Sequence, residues 1–199
     1  MSRIYSIILS IGVFVIAIDQ WTKNLALDKL AREGDTIPFL SWFSWTLVYN
    51  RGAAFGMLRN LPESIRIGFF VLLPFVVLTL LWFSYVRNFK KTDSLGPIAM
   101  GLVFGGAIGN VIDRIRFGYV IDFIDWFYPT SSGKCLPLFF QISPTECHWP
   151  VFNIADSAIS CAMVLLLFHW YQQEKESRKN NQSHQPNNQS HQPKNQSRK

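Results

Sequence analysis

The chain has 199 residues, enough for one domain, of which 49% are hydrophobic, 15% aromatic and only 16% charged. Its apolar residues lie in long uncharged runs, which excludes an ordinary soluble globule and points to a polytopic membrane protein. The net charge of +6 sits largely at helix ends and in the tail. It therefore favours an anionic lipid surface as partner and argues against nucleic acid.

Residues Ile4 to Ile18 are almost wholly apolar and run into Asp19-Gln20-Trp21-Thr22-Lys23. That run alone is short of the roughly 20 residues a crossing needs. The helical pattern continues through Leu25, Ala26 and Leu27, so the first span is placed at 4–27. A cleaved signal peptide is the competing reading, but no small-x-small cleavage site follows the apolar run. Asp19 and Lys23 are four apart and can pair on one helix face. With Trp21 as an aromatic anchor, such a pair could simply end the span at the interface.

Residues 28–64 form a polar-aromatic region that does not cross. Ser41 to Tyr49 reads as a strand, with Trp45, Leu47 and Tyr49 alternating against Ser44, Thr46 and Val48. It leads into Asn50-Arg51-Gly52-Ala53-Ala54-Phe55-Gly56, where Asn50 and Gly52 allow a tight turn with exposed amides. That turn is either a plain loop or a loop that touches substrate at the bilayer surface. Residues 67–86 give the clearest span, with Pro74 inside it, which membrane helices tolerate.

A short basic loop, Asn88 to Asp93, precedes the third span at 95–112. Gly101, Gly105 and Gly109 recur every fourth residue there and would let another helix approach closely. The same helix ends in Asn110, Asp113 and Arg114. The chain leaves it through Gly118 and continues as Val120-Ile121-Asp122-Phe123-Ile124-Asp125-Trp126. Phe127 to Pro150 reads as a loop with four prolines, Cys135 and Cys147. Those two cysteines can form a disulfide if the loop lies outside the cytoplasm and stay thiols otherwise. Cys161 falls inside an apolar helix, where packing is the expectation. The cysteines and the lone His148 and His169 form no metal-ligand pattern.

Residues 151–171 make the fourth span, with Asn153 and Asp156 near its start. Beyond Gln172 the composition turns polar, and Asn-Gln-Ser-His-Gln-Pro recurs imperfectly between Asn181 and Pro193. Residues 173–199 are therefore expected to be a disordered tail, leaving 1–172 as the folded domain. Four spans put both termini on one side. The density of basic residues at 87–93 and at the start of the tail makes that side cytoplasmic. The loops 28–64 and 116–150 then lie outside. Asp19, Asn50, Asn110, Asp113, Asp122, Asn153 and Asp156 converge at the non-cytoplasmic membrane face, and ionisable groups at membrane depth mark function by default.

No serine, lysine or cysteine has an evident base, and no His-Glu-x-x-His motif occurs. What remains is carboxylates. Two aspartates held close at low dielectric share a proton, and together they can activate water and protonate a leaving amine. The candidates besides Asp19 are Asp113, Asp122, Asp125 and Asp156. Asp113, beside Arg114, suits a structural ion pair, and Asp125 is expected nearer solvent.

Five segments carry a more specific resemblance: Asp19-Gln-x-x-Lys23, Asn50-Arg-Gly52-Ala-Ala-Phe55, Gly105-Gly-Ala-x-Gly-Asn110-x-x-Asp113-Arg114, Val120-Ile-Asp122-Phe123 and Phe152-Asn153-x-Ala155-Asp156-Ser157. Over about residues 5–172 the chain resembles the bacterial lipoprotein signal peptidases, signal peptidase II. The resemblance implies a mainly α membrane protein with four transmembrane helices and a small β-sheet cradle, from segment 28–64, at the non-cytoplasmic face of the inner membrane. It implies an aspartic endopeptidase that cuts prolipoproteins before the diacylglyceryl-modified cysteine. Asp122 and Asp156 would be its catalytic pair. Asp19, Lys23, Asn50, Gly52, Asn110, Asp113, Arg114, Asn153 and Ala155 would shape the site, with Asn110 and Asn153 holding substrate backbone or dyad geometry and Arg114 in an ion pair. Lipidated precursors and membrane lipids would be the partners, with no metal or organic cofactor, and the chain would act as a monomer. The alternative is a proton or solute carrier that uses the same carboxylates, but it needs ionisable groups spread through the membrane depth. Here they gather at one face.

Overall fold

The structure, a computed structural model, describes residues 2–52, 62–87, 95–130, 134–143 and 145–183. Four helices are long and apolar enough to cross a membrane: α1 (Ser2–Lys29), α2 (Glu63–Arg87), α3 (Leu95–Phe117) and α4 (Ile154–Ser183). The described residues also form five strands: β1 (Thr36–Leu40), β2 (Phe43–Asn50), β3 (Val120–Pro129), β4 (Phe140–Ser143) and β5 (Glu146–His148). The protein is thus mainly helical with a small antiparallel sheet.

Helix α3 is the centre of the bundle, and its glycines are the reason. A Cβ placed on Gly101 would sit 2.8 Å from Ile11 Cβ, and one on Gly105 would sit 2.7 Å from Val15 Cβ. The Gly101–Gly105–Gly109 face therefore seats α1. Gly106, on a different face, seats α4: its Cβ would lie 2.5 Å from the Ala155 carbonyl oxygen. Such close backbone approach replaces the hydrophobic drive that helices lack in lipid. Helix α2 joins through Leu78, packed with Val103 and Ala162. Its outer face leaves Leu72, Phe75, Val76, Leu80 and Phe83 exposed, as a lipid-facing surface requires.

The sheet runs β1-β2-β3-β5-β4. Ala26 and Leu30 from the end of α1 pack with Leu47, Ile121 and Phe123 beneath it. Phe152, just before α4, exchanges backbone hydrogen bonds with Ile124 of β3 at 2.8 and 3.1 Å. This bridge ties the start of the last span to the strand that carries Asp122.

Several sequence expectations change. The strand expected at Ser41–Tyr49 is β2, and β1 precedes it to make a hairpin that turns at Ser41–Trp42. The alternation along β2 breaks at a register shift between Trp45 and Val48. The cradle is not made by segment 28–64 alone, because three of its five strands come from 120–148. The loop expected at 127–150 contains the end of β3 and all of β4 and β5. It has the disulfide Cys135–Cys147, with a Cα–Cα distance of 5.5 Å. Cys161 is exposed rather than packed. Helix α4 starts at Ile154 and continues to Ser183, so residues 173–183, expected in the tail, are helical. That stretch has no glycine or proline to stop it, and Glu174 and Arg178 pair across one turn at 2.6 Å. The remainder of the tail, the basic loop 88–93 and Ala53–Phe55 lie outside the described residues.

Glycine substitutions test this packing. Gly68 has nothing within 4 Å of a built Cβ, so Gly68→Ala should leave thermal unfolding in detergent unchanged or slightly raised, as helix propensity favours Ala. Gly106→Ala, driven against a carbonyl oxygen, should lower stability by about 1–3 kcal/mol. Equal melting of the two variants would contradict the close α3–α4 contact.

Candidate active site

The polar residues at the sheet end of the bundle form one continuous network. At its base lies Lys23, 1% exposed. Its ammonium reaches Asp19 Oδ2 at 2.8 Å, Asp113 Oδ2 at 2.8 Å and Asn110 Oδ1 at 3.0 Å. A lysine has three donors, and all three are used. Asp19 and Lys23 do pair across one helical turn as their spacing suggests, but they are fully buried between helices instead of ending a span at the interface.

Each carboxylate beside Lys23 has a further task. Asp19 Oδ1 accepts the Ala155 N–H at 2.9 Å, so α1 satisfies one of the free amides in the first turn of α4. Asp113 Oδ2 accepts the Ile121 N–H at 3.2 Å and thereby fixes the start of β3. Asp113 takes its cation from Lys23 rather than from the adjacent Arg114. Gln20, which sequence reasoning passed over, closes this layer: its Nε2 donates to Asp113 Oδ1 at 2.9 Å and to the Gly109 carbonyl at 3.3 Å. Its position next to Asp19 was the available signal.

Two asparagines carry the network upward. Asn110 Oδ1 accepts from Lys23 and from Asn153 Nδ2 (3.1 Å), and Asn110 Nδ2 donates to Asp156 Oδ1 at 2.8 Å. Asn153 is the N-cap of α4. Its Oδ1 accepts the Asp156 N–H at 2.9 Å, while Asp156 Oδ2 accepts the Asn153 N–H at 3.3 Å. This is the reciprocal arrangement of a capping box. Asn153 Nδ2 also donates to Asp122 Oδ1 at 2.7 Å. The Asn-x-x-Asp spacing therefore starts a helix and, through the two ends of the one Asn153 amide, orients both Asp156 and Asp122.

Asp122, on β3, is 1% exposed. Its second oxygen accepts from Asn50 Nδ2 at 2.9 Å, and Asn50 Oδ1 accepts the Gly52 N–H at 3.1 Å, which forms the turn after β2. Burial, followed by the charge of Asp156, pushes the Asp122 carboxyl up to about 8, against the opposing pull of Asn50, Lys23 and Asn153. Asp122, Asp156, Arg114, Asn50 and Gly52 all line one cavity of about 840 Å³. Arg114 donates to the Asn110 carbonyl at 3.4 Å and lies over the Phe70 ring at 5.0 Å. The cavity places a cation beside two carboxylates, one of which holds a proton at neutral pH.

Asp125 is absent from that cavity. It is 2% exposed, not nearer solvent as expected, and it turns to the sheet. Thr46 Oγ1 donates to it at 2.8 Å, and His148 Nδ1 lies 2.9 Å away. Asp125 and His148 thus join β2, β3 and β5. Among the described residues, no group of three or more His, Cys, Asp and Glu side chains is placed to hold a metal ion.

The fold and the cavity define a polytopic membrane protein that can present an acid and a base together at the end of its spans. A family model for signal peptidase (SPase) II matches residues 11–172. The chain is 40% identical over 173 residues to a lipoprotein signal peptidase of Acinetobacter baumannii, covering 87% of this chain and 88% of that protein. It is 39% identical to one from Syntrophotalea carbinolica (83% and 92%) and 35% identical to one from Aquifex aeolicus (82% and 84%). A bacterial membrane enzyme solved by the in meso method at 2.3 Å superposes with a TM-score of 0.65 at 27% identity, covering 85% of this chain and 90% of that one. The chain belongs to the signal peptidase II family. It is an aspartic peptidase, and a multi-pass protein of the bacterial inner membrane.

The buried ammonium yields a stability prediction. Lys23→Met leaves Asp19 and Asp113 facing one another without a cation, and breaking one side of a buried charge group costs about 3–5 kcal/mol. Purified Lys23→Met protein should therefore melt far below the parent in detergent. Asp19→Asn combined with Asp113→Asn in the Lys23→Met background should recover much of the loss. A Lys23→Met variant that melts like the parent would contradict this account.

Proposed function

We propose that this protein removes signal peptides from lipoprotein precursors by cutting before the diacylglyceryl-modified cysteine, with Asp122 and Asp156 as its catalytic pair. The observation that carries the pair is their shared cavity, in which two separately held carboxylates feel one another's charge. Family membership supplies the substrate class.

Between them the two carboxyls hold one proton. The ionised member takes a proton from a water molecule as its oxygen attacks the scissile carbonyl carbon, while the protonated member gives its proton to the carbonyl oxygen. The tetrahedral intermediate then collapses. The carboxyl that took the water's proton gives it to the leaving nitrogen, the other carboxylate takes a hydroxyl proton from the intermediate, and the C–N bond breaks, which restores the starting pair. Asn50, Asn110 and Asn153 act by positioning: each donates a side-chain N–H to a carboxylate of the pair. Lys23, Asp19, Asp113 and Ala155 hold the start of α4 and β3 in register beneath them. Arg114 supplies positive charge in the cavity where negative charge develops on the carbonyl oxygen. Gly52 closes the turn that aims Asn50.

The orientation that fits this reading puts both termini in the cytoplasm and the cavity at the outer face, beside translocated precursors. The disulfide between Cys135 and Cys147 agrees with a sheet in an oxidising compartment.

Asp122→Asn and Asp156→Asn should each insert and fold yet lose cleavage of a lipidated precursor by at least about a thousandfold, since both steps need the pair. Processing at the parent rate by either variant would overturn the assignment. The pH profile carries a sign. Asp122 is pushed up, so it holds its proton at pH 7, and activity should fall as pH rises through about 8 and the proton is lost. Asn50→Ala removes a hydrogen bond that favours the charged form, so it should shift the alkaline limb upward. A downward shift in kcat/KM profiles would contradict the geometry.

A further inference from the structure

The lining of the cavity has a polar part and an aromatic part. Glu33, Asn50, Arg51 and Gly52 supply the first, and Trp126, Trp149 and Phe152 contribute the second. None of the three aromatic residues has a place in the carboxylate chemistry. Trp126 lies on β3, and Trp149 follows β5 two residues after Cys147 of the disulfide.

That region is built to hold one side chain. The Trp149 N–H donates to the Trp126 carbonyl at 2.7 Å, which fixes both residues side by side at the end of β5. The Trp149 ring meets the Phe139 ring edge-on at 5.5 Å, and Phe139 meets Tyr128 at 5.1 Å. Phe139 lies in the segment that Cys135 pins to the fully buried Cys147. The Tyr128 hydroxyl accepts the Leu136 N–H of the same segment. On the other flank, the Trp126 ring packs edge-on against Phe152 at 5.0 Å. The disulfide, Phe139, Trp149, Trp126 and Phe152 thus form a row that ends one residue before the N-cap Asn153. Trp126 remains 48% exposed, so the row presents aromatic surface that nothing in the described chain covers.

We propose that Trp149 and Trp126 are specificity-determining residues of this peptidase, a pre-set aromatic wall for an aliphatic chain of the substrate, and that the Cys135–Cys147 hairpin positions it. The proposal rests on the reading of the cavity as the peptidase site. Tryptophan rings give large apolar contact with little ordering cost. A wall fixed by a disulfide and a backbone hydrogen bond contributes to binding in the ground state and the transition state alike. Its loss appears in KM and not in kcat. The aliphatic chain could be an acyl chain on the modified cysteine or an apolar side chain beside the cut bond.

The test is steady-state cleavage by the purified full-length protein in detergent micelles. It compares the parent, Trp149→Phe, Trp149→Ala and the Cys135→Ser/Cys147→Ser double variant. Two precursor series are used, one with shortened acyl chains and one with Leu or Ala at the residue preceding the cleaved bond. Trp149→Ala should raise KM about tenfold with kcat within about twofold. Trp149→Phe should keep most of the parent KM, and the double serine variant should raise KM in the same direction. A penalty that shrinks with shorter acyl chains identifies the acyl chain as the occupant. A penalty that follows the Leu-to-Ala change identifies the peptide. A Trp149→Ala protein that folds and has an unchanged KM, a loss confined to kcat, or a penalty that follows neither series would overturn the proposal. Cleavage by the parent, with Asp122→Asn silent, keeps the peptidase reading intact in each of those cases.

Discussion

Lys23 carries the only cation found among the partners of Asp19 and Asp113 in the described structure, and its position constrains nearly everything above it. A buried ammonium is costly unless each of its protons is met. Meeting them requires α1 to supply Asp19 and α3 to supply both Asp113 and Asn110. That requirement sets the rotation of α1 against α3 about the glycine face, where Gly109 has room for nothing but the Asp19 carboxylate. Once both carboxylates are committed to Lys23, the free oxygen of Asp19 organises α4 and the Lys23-bound oxygen of Asp113 also accepts from the start of β3. Hydrophobic packing alone would leave those rotations loosely specified in lipid, because side chains and lipid tails are equally apolar.

The two carboxylates of the cavity are held differently, and this difference is chemically useful. Asp156 sits in the first turn of α4, where it closes the capping box with Asn153. Asp122 sits on a strand in a nearly water-free position, where burial disfavours the charge. A pair built on identical supports would have no reason to place its proton on one member. Here one carboxyl is borne by a helix start and the other by a sheet, joined through Asn153, and burial favours the protonated form of Asp122.

The spans were legible because long apolar runs have few soluble readings, and the glycine face because spacing alone defines it. The convergence of Asp19, Asn110, Asp113, Asn153 and Asp156 at one depth was legible too, as each lies near the same end of a span. The partner of Asp113 was not. Adjacent sequence suggested Arg114, but neighbours on a helix point about 100° apart, and Lys23 was nearer in space despite a long separation in sequence. Asp125 was misjudged for a related reason. Nothing local marks a strand residue as covered when the cover, β5, arrives from beyond a proline-rich segment. The strands in 127–150 were hidden by the same prolines, because pairing across β3 rather than local propensity makes them.

The bond from the Ala155 N–H to Asp19 spans 136 residues of sequence. Its donor opens the last span and its acceptor lies within the first. A ribosome delivers those two groups at opposite ends of synthesis, with α2 and α3 threaded into the bilayer in between. The polar network is therefore completed only with the last span: until the fourth helix inserts, the Asn153 cap and its bonds to Asp156, Asn110 and Asp122 do not exist.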